Sequence, residues 1–210
     1  MNTSFLNWRG QLLSLLAGAA IPLSLAPFNY WPIAIISLAI FAHSLIGLSG
    51  KQALQNSFSF GLGYYGSGAS WVFVSIYSFG STPLALALLM TALFVTFLAI
   101  LFSLPWYFSH TLNRRRANHW TMPLNFAALW VLNEWLRSWV LTGFPWLYIG
   151  YGHLDTPLAG WAPITGIFGL GLILAFSAAW FARLIKLNTE KQTLATHLLA
   201  GLLIVALWSG

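Results

Sequence analysis

The sequence predicts an all-α membrane protein, a polytopic bundle of about seven transmembrane helices. Two observations support this prediction. The chain is 59% hydrophobic and only 6% charged, with a mean hydropathy of +0.77, which leaves too few charged side chains to solvate the surface of a soluble domain. It also contains several apolar runs of about 18 residues or more, each long enough to cross a bilayer.

The apolar runs define the predicted spans in chain order. The first contains Pro22, which should bend it, and we expect it to remain uncleaved because another apolar run follows directly. The third is rich in Gly and Ser and should pack inside the bundle, whereas the fourth is almost wholly aliphatic and should face lipid. The spans are predicted at residues 10–26, 33–48, 54–76, 84–102, 122–141, 158–181 and 193–208, within one membrane-embedded domain over residues 1–210.

The positive charges predict the orientation of the bundle. The net charge is +6, but the cations stand in ones to threes between the predicted spans, which is typical of membrane topology and argues against a nucleic-acid partner. The positive-inside rule therefore places the N-terminus in the cytoplasm and the C-terminus outside. The cations on the predicted cytoplasmic side are Arg9, Lys51, Arg114, Arg115, Arg116, Arg183, Lys186 and Lys191.

The residue types exclude several kinds of reactive centre. There is no cysteine, which excludes disulfides, thiolate metal sites and a cysteine nucleophile within these residues. The five histidines show no spacing suited to a metal ion, so we predict no metal and no cofactor. His153 with Asp155 is interpreted either as a proton relay or as an ordinary loop hydrogen bond. No serine lies in a G-x-S-x-G elbow, and we therefore predict no catalytic residue in this chain.

One charged pair interrupts the apolar residues of the predicted fifth span. Glu134 and Arg137 lie three residues apart, on one face of a helix. An ionisable side chain at membrane depth costs roughly 2.5–3.5 kcal/mol and therefore marks a candidate functional site. One interpretation is an anion-binding site, in which the guanidinium of Arg137 donates two hydrogen bonds to a lipid phosphate and Glu134 holds its rotamer. The other is a structural ion pair that locks the helices together.

An aromatic segment, GFPWLY at residues 143–148, follows the charged pair. It is interpreted either as a portal for an acyl chain or lipid headgroup, or as an ordinary aromatic belt at the membrane interface. Trp71, which lies one helical turn from Gly66 and Gly68 in the third span, is interpreted either as a lipid contact or as part of the helix packing. The candidate lipid-binding residues beside Glu134 and Arg137 are Gly143, Phe144, Trp146, Tyr148 and Trp71.

These motifs resemble those of one family, the bacterial apolipoprotein N-acyltransferases. The resemblance rests most on ExxR at residues 134–137, which runs into LTGFPW at residues 141–146. Further matching motifs are APF at 26–28, WP at 31–32, GLGYYGSGASWVFVSI at 61–76, FG at 79–80, GY at 150–151, DxPL at 155–158, APIxG at 162–166 and Gly169. The resemblance covers essentially the whole chain.

The resemblance implies a role in lipoprotein maturation. Members of the family also carry an outward-facing nitrilase-like α/β domain with a Glu-Lys-Cys triad, and then a final membrane span. The cysteine takes an acyl chain from a phospholipid as a thioester and passes it to the diacylglyceryl-cysteine of an apolipoprotein. By resemblance, this chain is the membrane domain of such an enzyme in the bacterial inner membrane. Arg137 and the 143–146 loop are then expected beneath the catalytic domain, where lipid enters.

The absence of cysteine sets what this chain is expected to do by itself. Acyl transfer through a thioester needs a thiolate, and the sequence ends where the nitrilase-like domain would begin. We therefore expect a truncated product or one half of a split enzyme, which binds the phospholipid donor and docks a separately encoded nitrilase-like domain that acts on the apolipoprotein. Two alternatives stay open, a non-catalytic membrane scaffold and a small transporter. A transporter would need a polar pathway through several spans.

Overall fold

The computed structural model describes residues 3–112, 121–186 and 194–209, and regular structure within these ranges is helical throughout. The predicted all-α fold is confirmed for these residues. The α-helices are α1 (Thr3–Ala20), α2 (Pro32–Leu45), α3 (Gly50–Gly68), α4 (Trp71–Val74), α5 (Leu84–Leu112), α6 (Thr121–Trp139), α7 (Ala162–Lys186) and α8 (Leu194–Trp208). Short 3₁₀ turns occupy Ile21–Ser24, Val140–Thr142, Ile149–His153 and Pro157–Trp161, and a π-helical turn occupies Ser75–Phe79.

Each predicted span overlaps a helix, but some ends differ. The third span is interrupted, because α3 ends at Gly68 and the short α4 follows at Trp71. The fourth continues past residue 102 to Leu112, with Pro105 inside the helix. Two helical stretches, Leu84–Leu112 and Pro157–Leu184, are long and apolar enough to cross a membrane. The number of spans and the orientation of the termini remain predictions. Three of the predicted cytoplasmic arginines, Arg114, Arg115 and Arg116, lie outside the described residues, as do His119 and Lys191.

The chain forms two compact units that are built from different helices. The first unit comprises Met1–Pro22 and Ser44–Arg115, and it therefore contains α1, α3, α4 and α5. The second comprises Leu23–His43 and Arg116–Gly210, and it contains α2, α6, α7 and α8.

In the first unit, α1 and α3 pack with their backbones in contact. A Cβ atom added at Gly18 would lie 2.1 Å from the carbonyl oxygen of Phe60, and one added at Gly63 would lie 2.0 Å from the carbonyl oxygen of Leu15. Only glycine allows these approaches, and small residues at helix contacts are characteristic of packing in membranes. This is the close packing that the Gly-rich third span predicts.

In the second unit, tryptophans join α8 to α7 and to the turn before it. The indole nitrogen of Trp161 donates to the carbonyl oxygen of Leu207 (2.9 Å), and that of Trp208 donates to the hydroxyl of Ser177 (3.1 Å). Helix α7 is interrupted near its start at Gly166, where φ is 64°. The two hydrogen bonds hold α8 against α7 and against Trp161, the last residue before α7. Residues 140–161, which connect α6 to α7, are therefore held at their C-terminal end.

Candidate functional site

The buried face of α6 carries the charged pair. Residues Phe126, Trp130, Asn133, Glu134 and Arg137 recur at three- and four-residue intervals, so they share one face of the helix, and all are buried. Glu134 and Arg137 are each only 2% exposed. Charged side chains at this depth need polar partners. Both find partners in the loop that follows α6, residues 140–149, which we call the 140–149 loop.

Arg137 binds the loop through backbone carbonyls. One terminal nitrogen, Nη1, donates to the carbonyl oxygen of Trp146, and the other, Nη2, lies 3.5 Å from that of Leu147. The guanidinium carbon also lies 5.0 Å from the ring centroid of Tyr148, at cation–π distance. The planar guanidinium, which could donate two hydrogen bonds to a phosphate, thus donates them to two consecutive carbonyl oxygens of the chain itself.

Glu134 binds the next residue of the same loop. Its Oε1 accepts a hydrogen bond from the backbone nitrogen of Ile149 at 3.0 Å. Its Oε2 lies against α7 at Gly171, where an added Cβ would be 2.9 Å from that oxygen. The absence of a side chain at Gly171 therefore makes room for the carboxyl group. Together, Glu134 and Arg137 hold the backbone of residues 146–149 on both sides of Tyr148.

The backbone of the 140–149 loop is strained at three residues. Leu141 (φ 50°), Thr142 (φ 76°) and Leu147 (φ 64°) have positive φ although none of them is glycine. Such conformations cost of order 1–3 kcal/mol each, so they persist only where surrounding contacts impose them. Gly143 (φ 84°) is different, because glycine adopts this conformation without strain and its missing Cβ allows contact with the carbonyl oxygen of Ser138.

The aromatic side chains of the loop divide into buried and exposed ones. Phe144 and Tyr148 are buried, and burial raises the pKa of the Tyr148 hydroxyl above its usual value, so it stays protonated. Trp146 is 52% exposed, with its ring 5.4 Å from that of Phe144, and Leu141 is 76% exposed. The 140–149 loop therefore exposes the side chains of Leu141, Thr142, Pro145 and Trp146, while Phe144 and Tyr148 are buried beneath them.

The structure brings most of the predicted site residues together. Glu134, Arg137, Gly143, Phe144, Trp146 and Tyr148 all belong to α6 or the 140–149 loop. Trp71 lies in the other compact unit, as the exposed first residue of α4. Asp155 is exposed, and His153 is buried between Trp31 and Trp208. Within the described residues, no group of three His, Asp or Glu side chains could hold a metal ion.

Two parts of the site could not be recognised from the sequence. Gly171 stands in an apolar run with other glycines, and nothing in its type indicates that it borders a carboxyl group. Ile149 contributes only its backbone nitrogen, which every residue except proline possesses. The one signal available was the charged pair itself, since a buried carboxylate must find donors nearby.

Apolar helices long enough to cross a bilayer, together with a buried charged pair, are features of a helical membrane protein. Residues 17–180 match the family model of the apolipoprotein N-acyltransferase N-terminal domain, and the chain belongs to this family. The resemblance found in the sequence motifs is thereby confirmed.

Curated relatives named apolipoprotein N-acyltransferase show the same relationship. The protein of Pseudomonas syringae pv. tomato is 43% identical over 202 residues, which is 96% of this chain and 39% of the relative. That of Pseudomonas aeruginosa strain LESB58 is 43% identical over 207 residues, and that of Coxiella burnetii is 41% identical over 187 residues, 88% of this chain. The chain spans about two-fifths of the length of these relatives, 39% in each case.

Proposed function

We propose that this chain is the membrane-embedded domain, over residues 1–210, of a phospholipid:apolipoprotein N-acyltransferase of the bacterial inner membrane. In this proposal it binds the phospholipid acyl donor at the 140–149 loop and docks the nitrilase-like catalytic half, which modifies the apolipoprotein. The observation that supports a site here is the way in which Glu134 and Arg137 hold the 140–149 loop, an arrangement that we call the clamp. A buried carboxylate and a buried guanidinium hold one strained loop in place. Strained backbone of this kind is concentrated at ligand-binding and active sites.

The residues of the site divide into two roles. Trp146 is exposed and is proposed to contact the lipid. Trp71, exposed in the other unit, is proposed as a separate lipid contact of that unit. Glu134 and Arg137 are proposed to act through the loop, because their polar atoms already bind loop backbone groups. A headgroup phosphate would reach the 2%-exposed Arg137 only if the loop lifted. Gly143 and Phe144 shape the turn on which Trp146 stands.

Lipid retention by single variants tests the site. We expect Trp146→Ala to weaken retention of phospholipid by the purified chain roughly three- to tenfold, as the loss of one well-packed aromatic contact would. Trp139→Ala is the matched control, since Trp139 is similarly exposed (53% against 52%) but lies on α6 before the loop. The measurement is the number of lipids retained in native mass spectrometry. Equal losses in both variants would indicate an ordinary aromatic belt and would contradict a specific site.

Arg137→Ala separates a positioning role from direct headgroup binding. If Arg137 acts through the loop, the variant should lose retention of phosphatidylglycerol and of a neutral diacylglycerol alike, because the loop carrying Trp146 is released. If it binds the phosphate directly, only the phospholipid should be affected. Unchanged retention of both lipids would remove Arg137 from the site.

Reconstitution tests the docking part of the proposal. The chain is placed in phospholipid vesicles with a diacylated lipopeptide, alone and together with a separately produced nitrilase-like domain, and N-acylation is followed by mass spectrometry. We expect product only with both parts, since the chain contains no cysteine to form a thioester. Product from the chain alone would overturn the need for a thiolate. Absence of both product and co-purification with the added domain would contradict docking.

A further inference from the structure

His153 is a buried imidazole that the proposed lipid site does not use. It ends the 3₁₀ turn Ile149–His153, directly after the 140–149 loop. Its ring lies between two indoles, with centroid distances of 5.8 Å to Trp31 and 5.4 Å to Trp208 and interplanar angles of 62° and 84°. The side chain is fully buried, and within the described part of the chain neither ring nitrogen has a hydrogen-bond partner. Buried polar atoms without partners are uncommon and call for an explanation.

The two indoles that surround His153 belong to other elements of the same unit. Trp31 immediately precedes α2, and Trp208 ends α8, with 5.8 Å between their ring centroids. Trp208 is itself fixed by its hydrogen bond to Ser177 of α7. His153 therefore packs against the residue before α2 and the last residue of α8.

The backbone on either side of His153 is also closely packed. Its carbonyl oxygen accepts from the backbone nitrogen of Thr156 (3.1 Å) and from the hydroxyl of the same residue (2.8 Å). On the other side, a Cβ added at Gly152 would lie 2.4 Å from the carbonyl oxygen of Ser24. Because the backbone is held this closely, the imidazole reaches water only if the segment from residue 149 to residue 156 separates from the two indoles.

Among the described residues, no charged group is hydrogen-bonded to His153, and the buried Glu134 of α6 binds the backbone nitrogen of Ile149 at the other end of the turn. In its own loop, the titratable groups are Tyr151 and Asp155, and both are exposed. Residues 21–42, which include Trp31 and Ser24, contain Tyr30 as their only titratable side chain, and residues 157–182 and 199–209 contain none. Desolvation accordingly lowers the pKa of His153 to about 4, so the imidazole is neutral at pH 7.

We propose that His153 is an acid-sensitive latch, whose protonation opens the enclosure formed by Trp31 and Trp208 and releases the segment 149–156. An imidazolium carries two N–H donors, and the enclosure offers no acceptor for either of them. Water can supply those acceptors only after the enclosure opens. The inference goes beyond the proposed function and depends only on packing within the second unit.

The direction of the pH effect follows from proton binding. Once released, His153 regains an ordinary pKa near 6.5, whereas the packed residue has a pKa of about 4. The open form therefore binds more protons between these two values, and the closed form loses stability as the pH falls through that window. Above about pH 6.5 the latch is closed and insensitive to pH. The opening equilibrium should rise roughly twentyfold between pH 7 and pH 5.

Hydrogen exchange measures this opening directly. The full chain in lipid nanodiscs is exchanged at pH 7 and pH 5, intrinsic exchange rates are corrected for pH, and peptides covering residues 149–156 are followed by mass spectrometry. We expect the corrected opening equilibrium of this segment to rise roughly twentyfold on acidification in the unmodified chain. The response should be absent in His153→Phe, which keeps an aromatic ring in the enclosure but cannot be protonated.

Two further variants keep the test decisive. His153→Gln is neutral at every pH and replaces His153→Phe if the phenyl ring does not fold in place. His43→Gln removes another histidine of the same unit, whose Nδ1 lies 3.4 Å from the carbonyl oxygen of Ala182, and it should keep the full acid response. The latch is refuted if the unmodified chain shows no acid response, or if both His153 variants keep it. It is also refuted if acid increases protection, which would mean that the indoles bind the imidazolium.

Discussion

Between α1 and α3, glycines pack directly against backbone carbonyls, whereas between α6 and the 140–149 loop, charged side chains bind backbone groups. The first kind of contact depends on small volume, as at Gly18 and Gly63. The second depends on hydrogen bonds from Arg137 and to Glu134. Helices whose backbone groups are already paired need only shape to pack, but an irregular loop must find partners for its own carbonyls and amides.

The comparison indicates which of the two regions can carry specificity for a ligand. A glycine contact fixes the distance between two helices and leaves no functional group at the surface. A clamped loop holds side chains such as Trp146 in one orientation, at the cost of a strained backbone.

The largest effect is expected at the helix contact of the first unit. In Gly63→Ala the new Cβ would stand 2.0 Å from the carbonyl oxygen of Leu15, so α1 and α3 must separate. We expect a loss of about 3 kcal/mol in the free energy of unfolding, at the upper end of overpacking effects. The measurement is denaturant unfolding in detergent micelles.

The control for this variant lies on the same helix. Gly66→Ala places a Cβ no closer than 4.0 Å to its nearest neighbour, Val95, so it should be neutral or stabilise by up to about 1 kcal/mol through helix propensity. Similar losses in the two variants would show that helix flexibility, and not close approach, makes glycine necessary at residue 63.

Much of the fold could be predicted from the sequence because the apolar runs that indicate membrane helices are long. Each apolar run of about 18 residues favours a helix, and every predicted span overlaps a helix in the described residues. The end of α3 at Gly68 and the extension of α5 to Leu112 did not follow. The small residues at 66–70 suit close helix packing as well as a helix end, and hydropathy contains no information about where backbone hydrogen bonding stops.

The charged pair of the site could be predicted from the sequence, but its backbone partners could not. Glu134 and Arg137 stood out because ionisable residues are rare in apolar runs. Their partners did not, because Arg137 binds carbonyl oxygens and Glu134 binds a backbone nitrogen, and both depend on how the loop folds back. The positive φ of Leu147 occurs at a residue whose carbonyl oxygen Arg137 binds, against the local preference of a leucine. No pattern of residue types at this position predicts it.

An intermediate effect is expected where the clamp meets α7. In Gly171→Ala the new Cβ would lie 2.9 Å from Oε2 of Glu134, so the carboxyl group must shift and weaken its bond to the nitrogen of Ile149. We expect a loss of about 1–3 kcal/mol and faster hydrogen exchange at Ile149. Gly201→Ala on α8, where nothing lies within 4 Å, should have little effect.

A double-mutant cycle decides whether this effect passes through Glu134. If it does, Gly171→Ala should cost much less in a Glu134→Ala background, because the carboxyl group that it displaces is gone. An equal cost in both backgrounds would place the effect in the packing of α6 on α7 and would separate Gly171 from the clamp.

The smallest effect is expected from relieving strain in the loop itself. Leu141 has φ 50° and is 76% exposed, so Leu141→Gly should stabilise the chain by about 1 kcal/mol, since glycine adopts this conformation freely. Leu154→Gly is the control at φ −66°, and there the same change should destabilise by about 0.5–1 kcal/mol. Equal effects in thermal unfolding would contradict the assignment of strain to Leu141. If Leu141→Gly stabilises the chain but lowers phospholipid retention, the exposed leucine contributes to lipid binding at a cost in stability.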